Sequence, residues 1–72
     1  MSANWQIQAI LDDATDGLRL VMHATREVDG ETQQTSDMMI VDHPAEARLE
    51  CSRFAKVLGV EDYALVDRRA AA

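Results

Sequence analysis

"LRLVMHATREVDGETQQTSDMMIV", Leu18 to Val41, is the stretch whose reading decides the fold. Asp29-Gly30 stands at its centre, between two runs that alternate apolar and polar side chains. A two-residue type I′ turn needs positive φ at both central positions, and Asp-Gly is among the pairs that supply it at least cost. With the turn placed there, Val28 faces Glu31. Counting back pairs Ala24 with Thr35, Met22 with Asp37, Leu20 with Met39 and Leu18 with Val41. This register gathers Leu18, Leu20, Met39 and Val41 on one face; a slip of one residue would scatter them. Between the apolar halves lies "TREVDGETQQTS", Thr25 to Ser36, whose only aliphatic residue is Val28. It reads as the far end of a hairpin that outruns its core.

Ahead of the hairpin, "WQIQAIL" also has period two. Trp5, Ile7, Ala9 and Leu11 share one side, and Gln6, Gln8 and Ile10 share the other, as in a half-buried strand. "DDATDG" follows as a turn cluster; if Leu11 pairs with Leu18 across it, Ile10 joins the apolar residues of the outer face. Behind the hairpin, "DHPAEARLECSRFAKVLG" changes to helical spacing. Pro44 suits a first turn, Asp42 or His43 would cap it, and Gly59 would end it. Ala47, Cys51, Phe54, Ala55 and Leu58 form the inner stripe, with Glu46, Arg53 and Lys56 facing water. "VEDYALVD" reads as a last short strand, and residues 69–72 as a flexible tail.

The expected fold is α+β, in the order β-β-β-α-β, with one helix packed on one face of a small antiparallel sheet in a single domain over residues 1–72. The last strand would run parallel to the first and third and could sit beside either, since a helical crossover permits both; the place beside the first is preferred.

Seventy-two residues leave a large share of the surface wet, so a chain of this size is marginally stable without a staple or a partner. One cysteine rules out an intrachain disulfide. At 47% hydrophobic the composition is too apolar for a disordered chain. Thirteen acidic against seven basic residues give a net charge of -6. That balance argues against direct nucleic-acid binding, which needs basic patches. It suits a protein partner with a basic surface. "MSANWQIQAIL" has no basic leader and "MMIV" is too short to span a bilayer, so no membrane role and a cytoplasmic location are expected.

Few residues carry chemistry. Cys51 falls on the inner helix stripe, where a free cysteine acts as a small core residue. His23 falls on the outer sheet face and His43 at the helix start, with no base–nucleophile pair between them. No catalytic, metal or cofactor site is expected: two histidines and one cysteine fall short of a structural zinc set, and no phosphate-binding or hydrolase motif is present. The residues expected to meet a partner are Asp12, Asp13 and Asp16 in the acidic turn, with Asp42 at the same pole, and Glu27, Asp29 and Glu31 at the hairpin tip. Glu61 and Asp62 are expected near that second pole. Ile10, Val21, Met38 and Ile40 fall together on the sheet face that one helix cannot cover, an apolar cluster of the kind that marks interfaces.

The functional expectation is a small acidic, non-catalytic protein-binding module. In narrower form it is an inhibitor that covers a basic surface of a nucleic-acid-handling protein. Phage-encoded anti-defence inhibitors, anti-CRISPR proteins among them, are often small and acidic, and the likeness is one of size and charge only. The alternative is a homodimeric structural or accessory subunit that uses the outer sheet face for self-association.

Overall fold

The Asp29-Gly30 turn closes as its residues require: φ is 53° at Asp29 and 81° at Gly30. The computed structural model describes residues 4–69. It comprises β1 (Gln6–Ala14), β2 (Gly17–Val28), β3 (Glu31–Val41), α1 (Pro44–Leu58) and β4 (Ala64–Asp67). The four strands form one mixed sheet in the order β3-β2-β1-β4, with β4 parallel to β1 and the other pairs antiparallel. The expected element order and the place of the last strand beside the first therefore hold.

The β2–β3 register matches the reading from the turn throughout, from Val28 opposite Glu31 to Leu18 opposite Val41. The β1–β2 register does not. Leu11 lies opposite Leu20 rather than Leu18, because the turn has tightened to Thr15-Asp16 alone and Ala14 faces Gly17. Gly17 allows this. Its φ of 144° is in the region that only glycine visits freely, and a Cβ there would lie 2.9 Å from the Val41 carbonyl oxygen. A shift of two residues leaves the side-chain faces unchanged, so the apolar side of β1 still points inward.

Helix α1 starts at Pro44, where the missing N–H costs nothing. His43 is the extended N-cap residue but caps with no side-chain bond. Instead the Asp42 N–H donates to Glu46 Oε2 at 3.3 Å. At the other end Gly59 is left-handed at φ 77°. Its N–H donates to the Lys56 carbonyl at 3.1 Å, and the Val60 N–H donates to the Ala55 carbonyl at 2.9 Å. This pair of bonds is a Schellman closure.

The helix lies on the sheet through small side chains. Ala47, Cys51 and Ala55, spaced four apart, are buried against a face that includes the fully buried Ala9 and Ala24. Leu11, Leu20, Met22 and Val41 fill one part of the interior, and Ile7, Ala24 and Ala55 the other. Phe54 and Tyr63 pack against both parts. Tyr63 also donates its hydroxyl hydrogen to the Arg48 carbonyl at 3.4 Å. That residue pins the return crossover to the helix, so the last strand is limited to Ala64–Asp67 and does not begin at Val60. Past β4, the Arg68 N–H donates to the Leu11 carbonyl at 2.8 Å. Arg69 grips Asp67 through Nε and Nη2, the shorter contact being 2.6 Å. These hydrogen bonds hold the Asp67 carboxyl down at about 2, well below the usual carboxylate range. Of the tail expected over 69–72, Arg69 is thus tied in, and residues 70–72 lie outside the described residues.

Two stability outcomes follow. Gly17→Ala combines a forbidden φ with a clash against backbone, and should lower the unfolding free energy by about 1–3 kcal/mol. Gly30→Ala meets nothing within 4 Å, so it should lose only the backbone term, about 1 kcal/mol. Denaturant midpoints of the two variants measure the difference, and equal losses would mean that Val41 gives way. Burial, and then the charge of Glu50, push the Cys51 thiol above its ordinary value of 9.0. A thiol reagent should therefore label the native protein slowly at neutral pH and quickly once it unfolds. Because the folded value is the raised one, the stability linked to this group is full below pH 9 and falls as pH rises through the folded value. Replacing Cys51 with alanine should flatten that alkaline loss in chemical unfolding curves.

Candidate interaction surface

Alternation along the strands sorts the sheet into two unlike faces. The inner face receives α1. On the outer face the even-numbered residues of β1, β3 and β4 meet the odd-numbered residues of β2. The registers join Val66 to Ile10, Ile10 to Val21 and Val21 to Met38. These four side chains form an unbroken apolar row across all four strands. Ile40 extends it by one step along β3, opposite Arg19. Met38 is 63% exposed, Ile40 51% and Val66 46%, while Ile10 and Val21, on inner strands, are half-buried by their neighbours. Among the described residues no element lies over this row.

The expected cluster of Ile10, Val21, Met38 and Ile40 is thus brought together, with Val66 added. Val66 could not be placed from the chain alone, because the register of a strand that returns through a helical crossover is set by packing and not by a turn. Flanking the row, Asp12 stands directly opposite Arg19 on one side, and Gln8 opposite His23 on the other. On the outer face Asp12 and Arg19 thus lie beside an uncharged centre, Glu27 follows farther along β2, and Arg68 comes just past β4 next to Asp12, within a chain whose net charge is -6.

The acidic side chains lie at the ends. Asp12 Oδ1 accepts the Asp13 N–H at 2.8 Å, and Asp16 is exposed in the turn. Asp42 joins this pole: a Cβ on Gly17 would lie 3.9 Å from its Oδ1. At the opposite end Glu27, Asp29 and Glu31 are all exposed. Glu61 and Asp62 line a depression with Asn4 and Trp5, beside the base of the hairpin extension rather than its tip. The Arg53–Glu50 and Arg69–Asp67 ion pairs lie away from the hairpin tip, while Asp13 of the turn acts electrostatically on Arg69.

The hairpin outruns the sheet as the polar stretch implies. β1 stops at Gln6, opposite Thr25, so the ribbon from Arg26 to Gln33 has two strands only. Its base is fastened by a contact that the sequence did not disclose. The Arg26 guanidinium sits 4.5 Å from the centre of the Trp5 ring, and its Nε donates to Gln33 Oε1 at 2.6 Å. Pairing Leu11 with Leu18 would have put Trp5 opposite Ala24; the tightened turn puts it opposite Arg26. Such a cation–π contact is worth about 0.5–1 kcal/mol at an exposed site.

β3 is a free edge of the sheet. Beside it a shallow groove runs between strand and helix, lined by Met22, Asp37, Met39, Arg53, Phe54 and Val57. Asp37 Oδ1 accepts the Met38 N–H at 2.9 Å and so occupies one of the edge donors. His23 and His43 are exposed and lie on different elements. Among the described residues no polar or charged side chain is buried, no three His, Cys, Asp or Glu side chains converge as a metal set, and no helix is long and apolar enough to cross a membrane. Compared with known proteins, the chain matches no family model, no curated protein and no solved structure.

Proposed function

We propose that this chain is a small acidic protein-binding module that acts by occupying another protein's surface rather than by chemistry. The observation that carries the reading is the projecting hairpin. Residues 26–33 are ordered as a ribbon beyond the last contact with β1. They bury little apolar surface, although ordering backbone costs about 1–2 kcal/mol per residue. A two-stranded ribbon is at best marginally stable by itself. A chain of this size that maintains one gains reach, and here the reach ends in Glu27, Asp29 and Glu31.

The partner that fits is a protein with a basic surface. Acidic groups on turns steer such a surface from beyond contact range, and they weaken as salt screens them. In its narrower form the module is an inhibitor that covers the basic nucleic-acid channel of a defence or processing protein in the same cytoplasm. Size and charge support that form; it rests on no motif.

Two variants test the reading. Replacing Glu27–Thr32 with Asn-Gly joins Arg26 to Gln33 in register and keeps the contact with Trp5. The shortened chain should unfold within about 1 kcal/mol of the parent, because no core side chain is removed. It should also lose the protein captured by the full chain from host extract. Glu27→Lys, Asp29→Lys and Glu31→Lys together should abolish the same capture while leaving the length unchanged. Association of the parent should slow as ionic strength rises, since exposed charges are screened over about 8–10 Å near physiological salt. Capture that survives both changes, at a rate indifferent to salt, would refute an acidic hairpin contact.

A further inference from the structure

We propose that the open sheet face seats a second copy of this chain, with the two sheets packed face to face about a two-fold axis that runs along the strands between β1 and β2. The proposal concerns a different surface from the hairpin and stands without it.

The occupant follows from charge and symmetry. The outer face holds the row Val66, Ile10, Val21 and Met38, with Asp12 and Arg19 beside it. Charges of opposite sign at mirrored places make this face complementary to itself. Rotation about an axis along the strands lays β1 on the partner's β2 and β4 on the partner's β3. Ile10 then meets the partner's Val21, Met38 meets the partner's Val66, and Asp12 meets the partner's Arg19; each contact occurs twice, as an isologous interface requires. An axis across the strands would stack Asp12 on the partner's Gln8 and Arg19 on the partner's His23, which pairs no opposite charges. Aligned sheets pack about 10 Å apart, a spacing that side chains of this size fill.

The area sets the strength. Four strands at about 4.8 Å spacing and three rows at about 6.8 Å give a footprint of about 400 Å² per copy. Two copies then bury about 800–1,000 Å², at the lower limit of specific interfaces. The dimer is therefore weak and reversible, with a dissociation constant in about the micromolar range. The axis also brings both acidic turns to one end of the pair, where they repel. Because screening relieves that repulsion, self-association should hold or tighten as salt rises, opposite to the hairpin contact with a basic partner.

Analytical ultracentrifugation of the full chain tests this. The weight-average mass should climb from one chain towards two over a micromolar concentration series, and stay at one chain throughout for Met38→Lys. Met38 is exposed enough to accept lysine without loss of fold, which circular dichroism checks. The decisive pair is Arg19→Asp and Asp12→Arg. Each variant alone sets like charges against each other across the axis and should self-associate at least tenfold more weakly. Mixed in equal amounts, they restore both opposite-charge contacts and should form a mixed dimer at the parent's affinity. Changes within one chain cannot produce that recovery. A parent that stays at one-chain mass across the series, or variants that fail to recover on mixing, would overturn the proposal. Loss of hairpin capture would leave all of these readouts unmoved.

Discussion

A fifteen-residue helix can cover one face of a four-stranded sheet, not two. At about 1.5 Å per residue α1 is about 22 Å long and about 10 Å across, and it lies on one side of the sheet only. The rest of the structure follows from how this chain handles that shortage. On the covered side the helix presents alanine and cysteine to alanines of the sheet, so the two backbones approach closely and the larger Leu11, Leu20 and Met22 fill the space around the contact. The interior is thin, and it contains no buried polar side chain among the described residues. On the other side, apolar side chains remain because the strands that must be apolar inside carry Val, Ile and Met outside as well.

Charge is distributed to suit this division. Most of the acidic excess is placed in the Thr15-Asp16 turn region, at the tip of the hairpin and on the crossover before β4, away from the apolar row. Asp12, which lies beside the row, has Arg19 opposite. A face left neutral within an acidic chain can be approached by another acidic surface, including its own copy. The ends, by contrast, repel acid and attract base. The molecule measures 42 × 18 × 17 Å, and its apolar row and its acidic ends occupy separate parts of the surface.

The hairpin extension is held by its own pairing and by a clamp at its root. Without Arg26 on the Trp5 ring, the ribbon would join the body only through its two backbones. With it, one aromatic side chain at the edge of the core fixes the direction in which the polar end projects. Gln33 completes the clamp from the opposite strand.

Much of this was decided by local sequence. Asp29-Gly30 admits positive φ at two successive residues, and that alone set the β2–β3 register and every cross-strand pair in it. Pro44 and Gly59 bounded the helix, and its period set which residues face inward. These features depend on one to four neighbouring residues, and such effects survive in any context. The first turn was different: Thr15-Asp16 carries no comparable signal, and its length was settled by Gly17 slipping under the Val41 carbonyl, a contact between segments more than twenty residues apart. The Trp5–Arg26 clamp depended on that length and stayed hidden with it. Likewise, the place of Val66 was decided only when Tyr63 docked on the helix and fixed where β4 begins. Faces are encoded by alternation along a strand; registers between strands not joined by a tight turn are set by packing, so the tertiary structure alone completed the four-residue row.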